Sequence, residues 1–209
     1  MASDTKESIR QQIWSYLESN DIARFPRPVY NRIPNFEDNK ILLASTPRLR
    51  SGLLNRIIPP ENADKHTLQM CATSEGVKKF SVRLDLNKKV KIDLLILGSV
   101  AVSLKGQRIG KGRGYADLGF AMMAAVGAVN SETTIVTVVH DCQVLRSIPD
   151  NLFKEHDVPV DIIVTPTRIL RCEQKLPKPH RIIWPLLSEE SIREIPILKK
   201  LKKMAINLE

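Results

Sequence analysis

The sequence predicts an α/β fold of three layers, with a mostly parallel sheet between helices. Three observations carry this. Short apolar runs recur at Lys40 to Ser45, Val90 to Gly98, Thr133 to Val139 and Val160 to Thr167. A helical pattern, Leu118 to Val129, lies between two of them, and such alternation argues for βαβ units with helices on both faces of a parallel sheet. The run Val90-Lys91-Ile92-Asp93-Leu94-Leu95-Ile96-Leu97-Gly98 is almost continuously apolar, as expected of a strand buried on both faces. At 209 residues one domain with a sizeable core is expected: a helix over 1–20, an arm over 21–39 and an α/β body over 40–209.

Residues 5–19 form the first predicted helix. Ser3 or Asp4 caps it, and Ile9, Ile13, Trp14 and Leu17 recur at helical spacing. Lys6 and Arg10 are four apart and share a face; a solvated basic face is the plain account of such a pair. Phe25-Pro26-Arg27-Pro28 ends the helix, since proline lacks an amide hydrogen and restricts its predecessor. A basic arm follows to Asn35, then a short strand over Lys40 to Ser45. Asn62 to Cys71 reads as a short helix and Val77 to Val82 as a loop or edge strand. Beyond the Val90 to Gly98 strand, Val100 to Ser103 runs on towards a glycine-rich segment. In the Leu118 to Val129 helix, Met122 and Met123 are core filler. Thr133 to Val139 is a second buried strand. It ends at His140-Asp141-Cys142, whose adjacent side chains would point to opposite faces and form no triad. Pro149 to His156 is a short helix, and Val160 to Thr167 a third strand and turn. Asp161 there either orders the strand start or fringes a site. Arg181 to Leu187 is an edge strand, because of Pro185. Ser188 to Met204 is a helix with Glu189 and Glu190 in its first turn, favourable to its dipole, and Pro196 interrupts it.

Chemistry is expected at Gly106-Gln107-Arg108-Ile109-Gly110-Lys111-Gly112-Arg113-Gly114-Tyr115-Ala116-Asp117. Four of the chain's nine glycines fall here. Glycine admits positive φ and close approach. Successive amides in such a turn make a nest for anions, and a helix opening just behind adds its own N–H groups. With Arg108, Lys111 and Arg113 interleaved, the segment reads as a phosphate cradle, and Asp117 is a candidate magnesium ligand. A basic surface turn without a ligand is the competing account. Known templates do not decide. Gly112 follows Lys111 where a Walker A loop needs Ser or Thr, and the spacing is G-x-G-x-G, not the dinucleotide pattern. Asp117 stands where an RNA-recognition strand needs its stacking aromatic.

Composition narrows the partners. A formal charge of +9 favours an anionic one, and nucleotide, polyglutamylated folate and RNA all qualify. No apolar run reaches the ~18 residues of a membrane span. Met1 to Glu7 is polar, so no secretory leader is expected. Cys71, Cys142 and Cys172 are odd in number and widely spaced, which points to reduced thiols in the cytoplasm and against a zinc site.

The run Arg108 to Asp117 resembles the G-x-R-L-G-x-G-x-G-Y-Y-D signature of 5-formyltetrahydrofolate cyclo-ligases, also called methenyltetrahydrofolate synthetases. Tyr115-Ala116-Asp117, Phe25-Pro26-Arg27-Pro28 and Val139-His140-Asp141-Cys142-Gln143 are similar to a divergent branch, the methenyltetrahydrofolate synthetase domain-containing proteins. The resemblance implies a cyclo-ligase-like fold, ATP and Mg2+ as cofactors, and a reduced folate as substrate. It implies that Lys6, Arg10, Arg48, Gly110, Gly112, Arg113 and Gly114 hold the nucleotide. Arg108, Lys111 and Tyr115 would be catalytic, and Asp117 would hold the metal. The chain departs from the family at Ala116, at Gly98-Ser99 in place of Pro-Gly, and at Ser103, where an acid is common. The family also has a strand and a long helix where Phe36 is here followed almost directly by Lys40. The resemblance therefore implies that one βα unit is lacking and a sheet edge or core face is left uncovered.

Two functions follow. The first is ATP-dependent conversion of 5-formyltetrahydrofolate to 5,10-methenyltetrahydrofolate. The second is a catalytically inactive homologue that binds RNA or a protein through basic patches, Lys199-Lys200-Leu201-Lys202-Lys203 among them.

Overall fold

Strands and helices alternate as the pattern predicts, but the sheets combine parallel and antiparallel pairing. The computed structural model describes all residues except 1–5, 22, 25–27, 29, 31–34, 37–40, 47–48, 50–51, 86–89 and 207–209. The chain divides into two compact units, Met1–Leu42 and Leu43–Glu209.

In the first unit, helix α1 (Lys6–Ser19) buries Trp14, which packs against Leu17. The Trp14 ring meets Tyr30 edge-on, with centroids 6.3 Å apart, a geometry favoured by the ring quadrupoles. Strands β1 (Ala23–Arg24) and β2 (Asn35–Phe36) pair antiparallel.

The second unit opens with an antiparallel sheet of β3 (Leu43–Ser45), β4 (Leu54–Ile57) and β5 (Ser81–Arg83). Between β4 and β5 run α2 (Lys65–Cys71) and α3 (Ser74–Phe80). Each is started by a side chain that accepts a free amide of the first turn: Asp64 from Thr67 N at 2.7 Å, and Thr73 from Gly76 N at 3.0 Å. The expected loop or edge strand at Val77 to Val82 is thus the end of α3 and the start of β5.

The central sheet has the order β12-β11-β9-β6, built from β6 (Leu94–Ile96), β9 (Thr134–Val138), β11 (Ile162–Val164) and β12 (Ile169–Arg171). The first three are mutually parallel and β12 returns antiparallel. A third sheet, β10-β7-β8, joins β7 (Ala101–Ser103), β8 (Arg108–Ile109) and β10 (Val144–Leu145). Helix α4 (Tyr115–Ala125) and the pair α5 (Glu189–Glu194) and α6 (Pro196–Ile206) complete the unit. The break expected at Pro196 is present.

The core lies on one face of the central sheet. Phe120 and Met122 of α4, Ile135 of β9, Ile163 of β11 and Leu198 of α6 are completely buried and belong to one cluster. Each such side chain contributes about 1.5–3 kcal/mol by leaving water. On the opposite face Val136 is buried, but several other apolar side chains are exposed. Leu94, Ile96, Val138 and Ile169 are 53%, 63%, 61% and 72% exposed. They lie on one side of the pleat, because Ile96 stands beside Val136, Val138 beside Val164, and Val164 beside Ile169. The Val90 to Gly98 run is therefore not a strand buried on both faces. Only Leu94–Ile96 is strand, and among the described residues only the Leu95 side meets the core. Apolarity permits burial, but a second covering layer is needed to achieve it.

Two further expectations change. Arg181 to Leu187 is not a strand; Trp184–Leu186 is one 3-10 turn with Pro185 at its start, where the missing proline N–H costs nothing. Pro149 to His156 contains a 3-10 turn at Asp150–Leu152 in place of an α-helix.

Candidate functional site

The glycine segment links β8 to α4. Strand β8 is held against β7, with Val102 opposite Arg108, and Val100 N donates to Ile109 O at 2.8 Å. Lys111, Gly112, Arg113 and Gly114 then lie exposed. Gly112 and Gly114 have φ of 77° and 65°. A Cβ at either would meet nothing within 4 Å, so it is the left-handed backbone, not space, that requires glycine there. Gly114 is the N-cap of α4 and offers no side-chain acceptor. The first helical bond runs from Leu118 N to Gly114 O, so the amides of Tyr115, Ala116 and Asp117 have no acceptor within the helix. They open onto a loop whose Lys111 and Arg113 side chains have no partner among the described residues. This is a donor-rich, cationic loop at a helix N-terminus, where phosphate groups are commonly held.

Arg108 and Asp117 do something different from Lys111 and Arg113. The Arg108 side chain is only 2% exposed. Its Nε donates to Val158 O at 3.1 Å, its Nη1 to Gly98 O at 3.2 Å, and its Nη2 to Asp117 Oδ1. The same Asp117 oxygen accepts Val158 N at 3.0 Å. Arg108 thus braces the base of the loop. Asp117 keeps Oδ2 without a hydrogen bond among the described residues. The described residues contain no cluster of three or more metal-ligating side chains. A magnesium ion here would take one carboxylate oxygen and complete its shell with phosphate and water, which is how magnesium is ordinarily held beside nucleotides. The residues fit that group. Tyr115 is half-buried at the start of α4 and packs against the core. Gly110 packs on Arg108, where a Cβ would stand 2.9 Å from Nη1.

The loop sits by the C-terminal end of β6, through the Arg108 bond to Gly98 O. Ligands of open α/β sheets bind at that end of the strands. A hydrogen-bond lattice that sequence reasoning missed fixes this rim. Thr137 Oγ1 donates to Leu97 O at 2.7 Å, so at its 2.7 Å contact with Ser99 Oγ the serine donates. Gln143 Nε2 donates to Ser99 O and Val100 O at 3.1 and 3.0 Å, and its Oε1 accepts His140 N at 2.8 Å. One Asp141 oxygen accepts from Thr165 Oγ1 at 2.8 Å and from Thr167 Oγ1 at 2.7 Å. These hydroxyls, Thr167 first, hold the Asp141 carboxyl below the ordinary carboxylate range. The signal was the polar string at 140–143 itself, for which the sequence excluded a triad and assigned no other role.

The remaining candidates sort as follows. Asp141 and Cys142 lie on the 3-10 turn Asp141–Gln143, not in a strand, and His140 caps it, its Nδ1 accepting the Cys142 backbone N–H at 3.3 Å. Asp161 orders the start of β11: its Oδ2 accepts Ile135 N at 2.7 Å and Lys178 Nζ at 2.8 Å. That is the sheet end opposite the loop. Ser103 is fully buried, with its Oγ 2.9 Å from Gln107 Oε1. Arg10 is exposed on α1; the Lys6 side chain and Arg48 lie outside the described residues. In the basic stretch of α6, Lys200 reaches Asp85 at 3.6 Å and Lys202 lies 5.9 Å over the Trp184 ring.

Residues 33–166 match the 5-formyltetrahydrofolate cyclo-ligase family, a span that includes the whole glycine segment and the strand-end rim up to Thr165. The chain belongs to that family. This cyclo-ligase-family chain is 46% identical over 239 residues to a methenyltetrahydrofolate synthase domain-containing protein of Danio rerio, covering 96% of this chain and 62% of the relative. It is equally similar, 46% over 236 residues, to the protein of the same description from Homo sapiens, covering 95% and 61%. A 5-formyltetrahydrofolate cyclo-ligase of Escherichia coli (strain K12) is 32% identical over 91 residues, 44% of this chain and 45% of the relative. The cyclo-ligase-family chain thus spans under two thirds of the length of the domain-containing relatives. No helix among its described residues is long and apolar enough to cross a membrane.

Proposed function

We propose that the chain binds MgATP at the glycine loop and, with a reduced folate beside it, converts 5-formyltetrahydrofolate to 5,10-methenyltetrahydrofolate. The observation that carries this is the uncapped start of α4. Three amides, at 115–117, face the same loop as the unpartnered Lys111 and Arg113. In the reaction the formyl oxygen attacks the γ-phosphorus and ADP leaves. N10 then attacks the formyl carbon and loses its proton, and the carbon–oxygen bond to phosphate breaks. Lys111, Arg113 and the amides neutralise the transferring phosphoryl group, the dominant need of such chemistry. Magnesium supplies charge neutralisation at the same phosphates. Arg108 positions Asp117 and the loop, and Tyr115 lines the lip. The family resemblance assigns nucleotide binding to Lys6, Arg10 and Arg48 as well, and their single alanine variants test that assignment by MgATP titration. The cytoplasm, which supplies both substrates, is the compartment this implies.

The reading includes the loss of one βα unit. The alignment with the Danio rerio relative has 239 positions against 209 residues here, so the relative carries at least 30 that this chain lacks. The open face of the central sheet is where such a unit would be covering apolar side chains. Grafting the relative's extra segment between Phe36 and Leu43 is expected to raise Tm; an unchanged or lower Tm refutes this part.

Absorbance of the methenyl product at saturating MgATP and 5-formyltetrahydrofolate tests the activity, and calorimetric titration with MgATP tests binding. Turnover no greater than that of the Lys111→Ala, Arg113→Ala chain removes catalysis. Absence of heat with MgATP removes the nucleotide site as well.

A further inference from the structure

A cavity of about 560 Å³ lies between the segments Asp150 to Pro159 and Gln174 to Ile183. It shares Arg108 with the base of the glycine loop, but none of residues 110–117 lines it. Its volume is that of a small-molecule site. The walls are fixed. Both main-chain polar groups of Val158 are held, its O by Arg108 Nε and its N by Asp117 Oδ1. Lys178, with a side chain 3% exposed, donates to Ser131 O, Thr133 O and Asp161 Oδ2 at 3.1, 2.8 and 2.8 Å. Both inner cations, Arg108 and Lys178, are neutralised by their own carboxylates. A preformed cavity loses little on ordering when it is filled.

What remains unneutralised sets the ligand. Phe153, Leu176, Pro179 and Ile183 give the cavity an apolar body, Phe153 with an aromatic face. Of the three lining acids, Asp150 takes Gln107 Nε2 at 2.6 Å and Lys105 at 3.3 Å, and Asp157 takes Lys154 N at 2.8 Å. Glu155 alone has no partner among the described residues. Against it stand the exposed Lys154 and Arg181 side chains, likewise unpartnered, and His180. We propose that this cavity is a second binding site, for a small flat aromatic molecule carrying one anionic group, carboxylate, phosphate or sulfonate. The ring lies on Phe153 and the proline wall, and the anion meets Lys154 and Arg181, where charge-assisted hydrogen bonds form.

Naphthalene-1-sulfonate is the probe, followed by amide chemical shifts of the isotope-labelled full chain. Saturable shifts are expected at Phe153, Lys154, Val158 and Arg181, with none matching from 1-naphthylmethylammonium, which has the same ring and opposite charge. The Lys154→Glu, Arg181→Glu chain, whose changes are exposed, is expected to bind about tenfold or more weakly. Shifts that do not saturate, or that fall only on Leu94, Ile96 and Val138 or on the glycine loop, overturn the proposal. Equal binding of the cationic probe overturns it too, and that arm needs no variant to fold.

Discussion

Arg108 and Asp117, nine residues apart, form a buried ion pair that ties the strand entering the glycine loop to the helix leaving it. The pair also holds both main-chain polar groups of Val158. The loop between them is held at its two ends, while Lys111 and Arg113 have no side-chain partner among the described residues.

Arg108→Ala is therefore expected to destabilise the second unit by about 3–5 kcal/mol, because it strands the Asp117 carboxylate and two carbonyls. Arg108→Lys recovers little of this, since one ammonium cannot reproduce a planar fork serving Val158 O, Gly98 O and Asp117 together. Urea unfolding monitored by circular dichroism measures both. A loss under about 1 kcal/mol for Arg108→Ala would contradict the bracing role.

The opposite is expected at the exposed cations. Lys111→Ala with Arg113→Ala leaves stability within about 0.5 kcal/mol, while MgATP affinity falls tenfold or more, on the order of one lost charge-assisted contact. Gly114→Ala should do both kinds of damage. It costs about 1–2 kcal/mol of left-handed strain, and it tilts the amides away from the ligand. Calorimetry and thermal melts on the same samples separate the two.

On the open sheet face, Ile96→Thr with Val138→Thr is expected to change unfolding free energy by no more than about 0.5 kcal/mol. The same change should raise the temperature at which light scattering begins, because a contiguous apolar surface is an association hazard. A loss of ~2 kcal/mol or more would mean that the face is covered in solution.

Asp141 is expected to contribute stability only while ionised. Its folded-state carboxyl is held below the ordinary 3.8, so the contribution is present above that pH and is lost as pH falls through the lower folded value. The stability gap between the native chain and Asp141→Asn should be constant near neutrality and close below pH 3.8. A gap that persists to the lowest folded pH would assign Asp141 an uncharged role.

The three thiols should alkylate in a fixed order. Cys142 is exposed and Cys71 buried, and burial with Asp161 nearby pushes Cys172 up to about 11. At pH 8 only on the order of one Cys172 in a thousand is thiolate. Mass spectrometry after brief iodoacetamide treatment is expected to find the label on Cys142 first. Label on Cys172 first would contradict its placement.

The alternation of elements, the break at Pro196 and the glycine loop at the mouth of a helix were all legible in the order of residues. Each depends on local rules: apolar periodicity, the missing proline amide, the freedom of glycine at positive φ. Lys111 and Arg113 belonged to the same legible group, since a charged residue between exposed glycines has little to pair with. What the residue order could not settle was partnership across distance. Arg108 looked the same as its two cationic neighbours until Val158, fifty residues later, was brought against it. Gln143 looked incidental until its amide met Ser99 O and Val100 O. Leu94 and Ile96 looked doubly buried because apolarity records a preference for leaving water. Whether a second layer exists to satisfy that preference is a property of the packed chain alone.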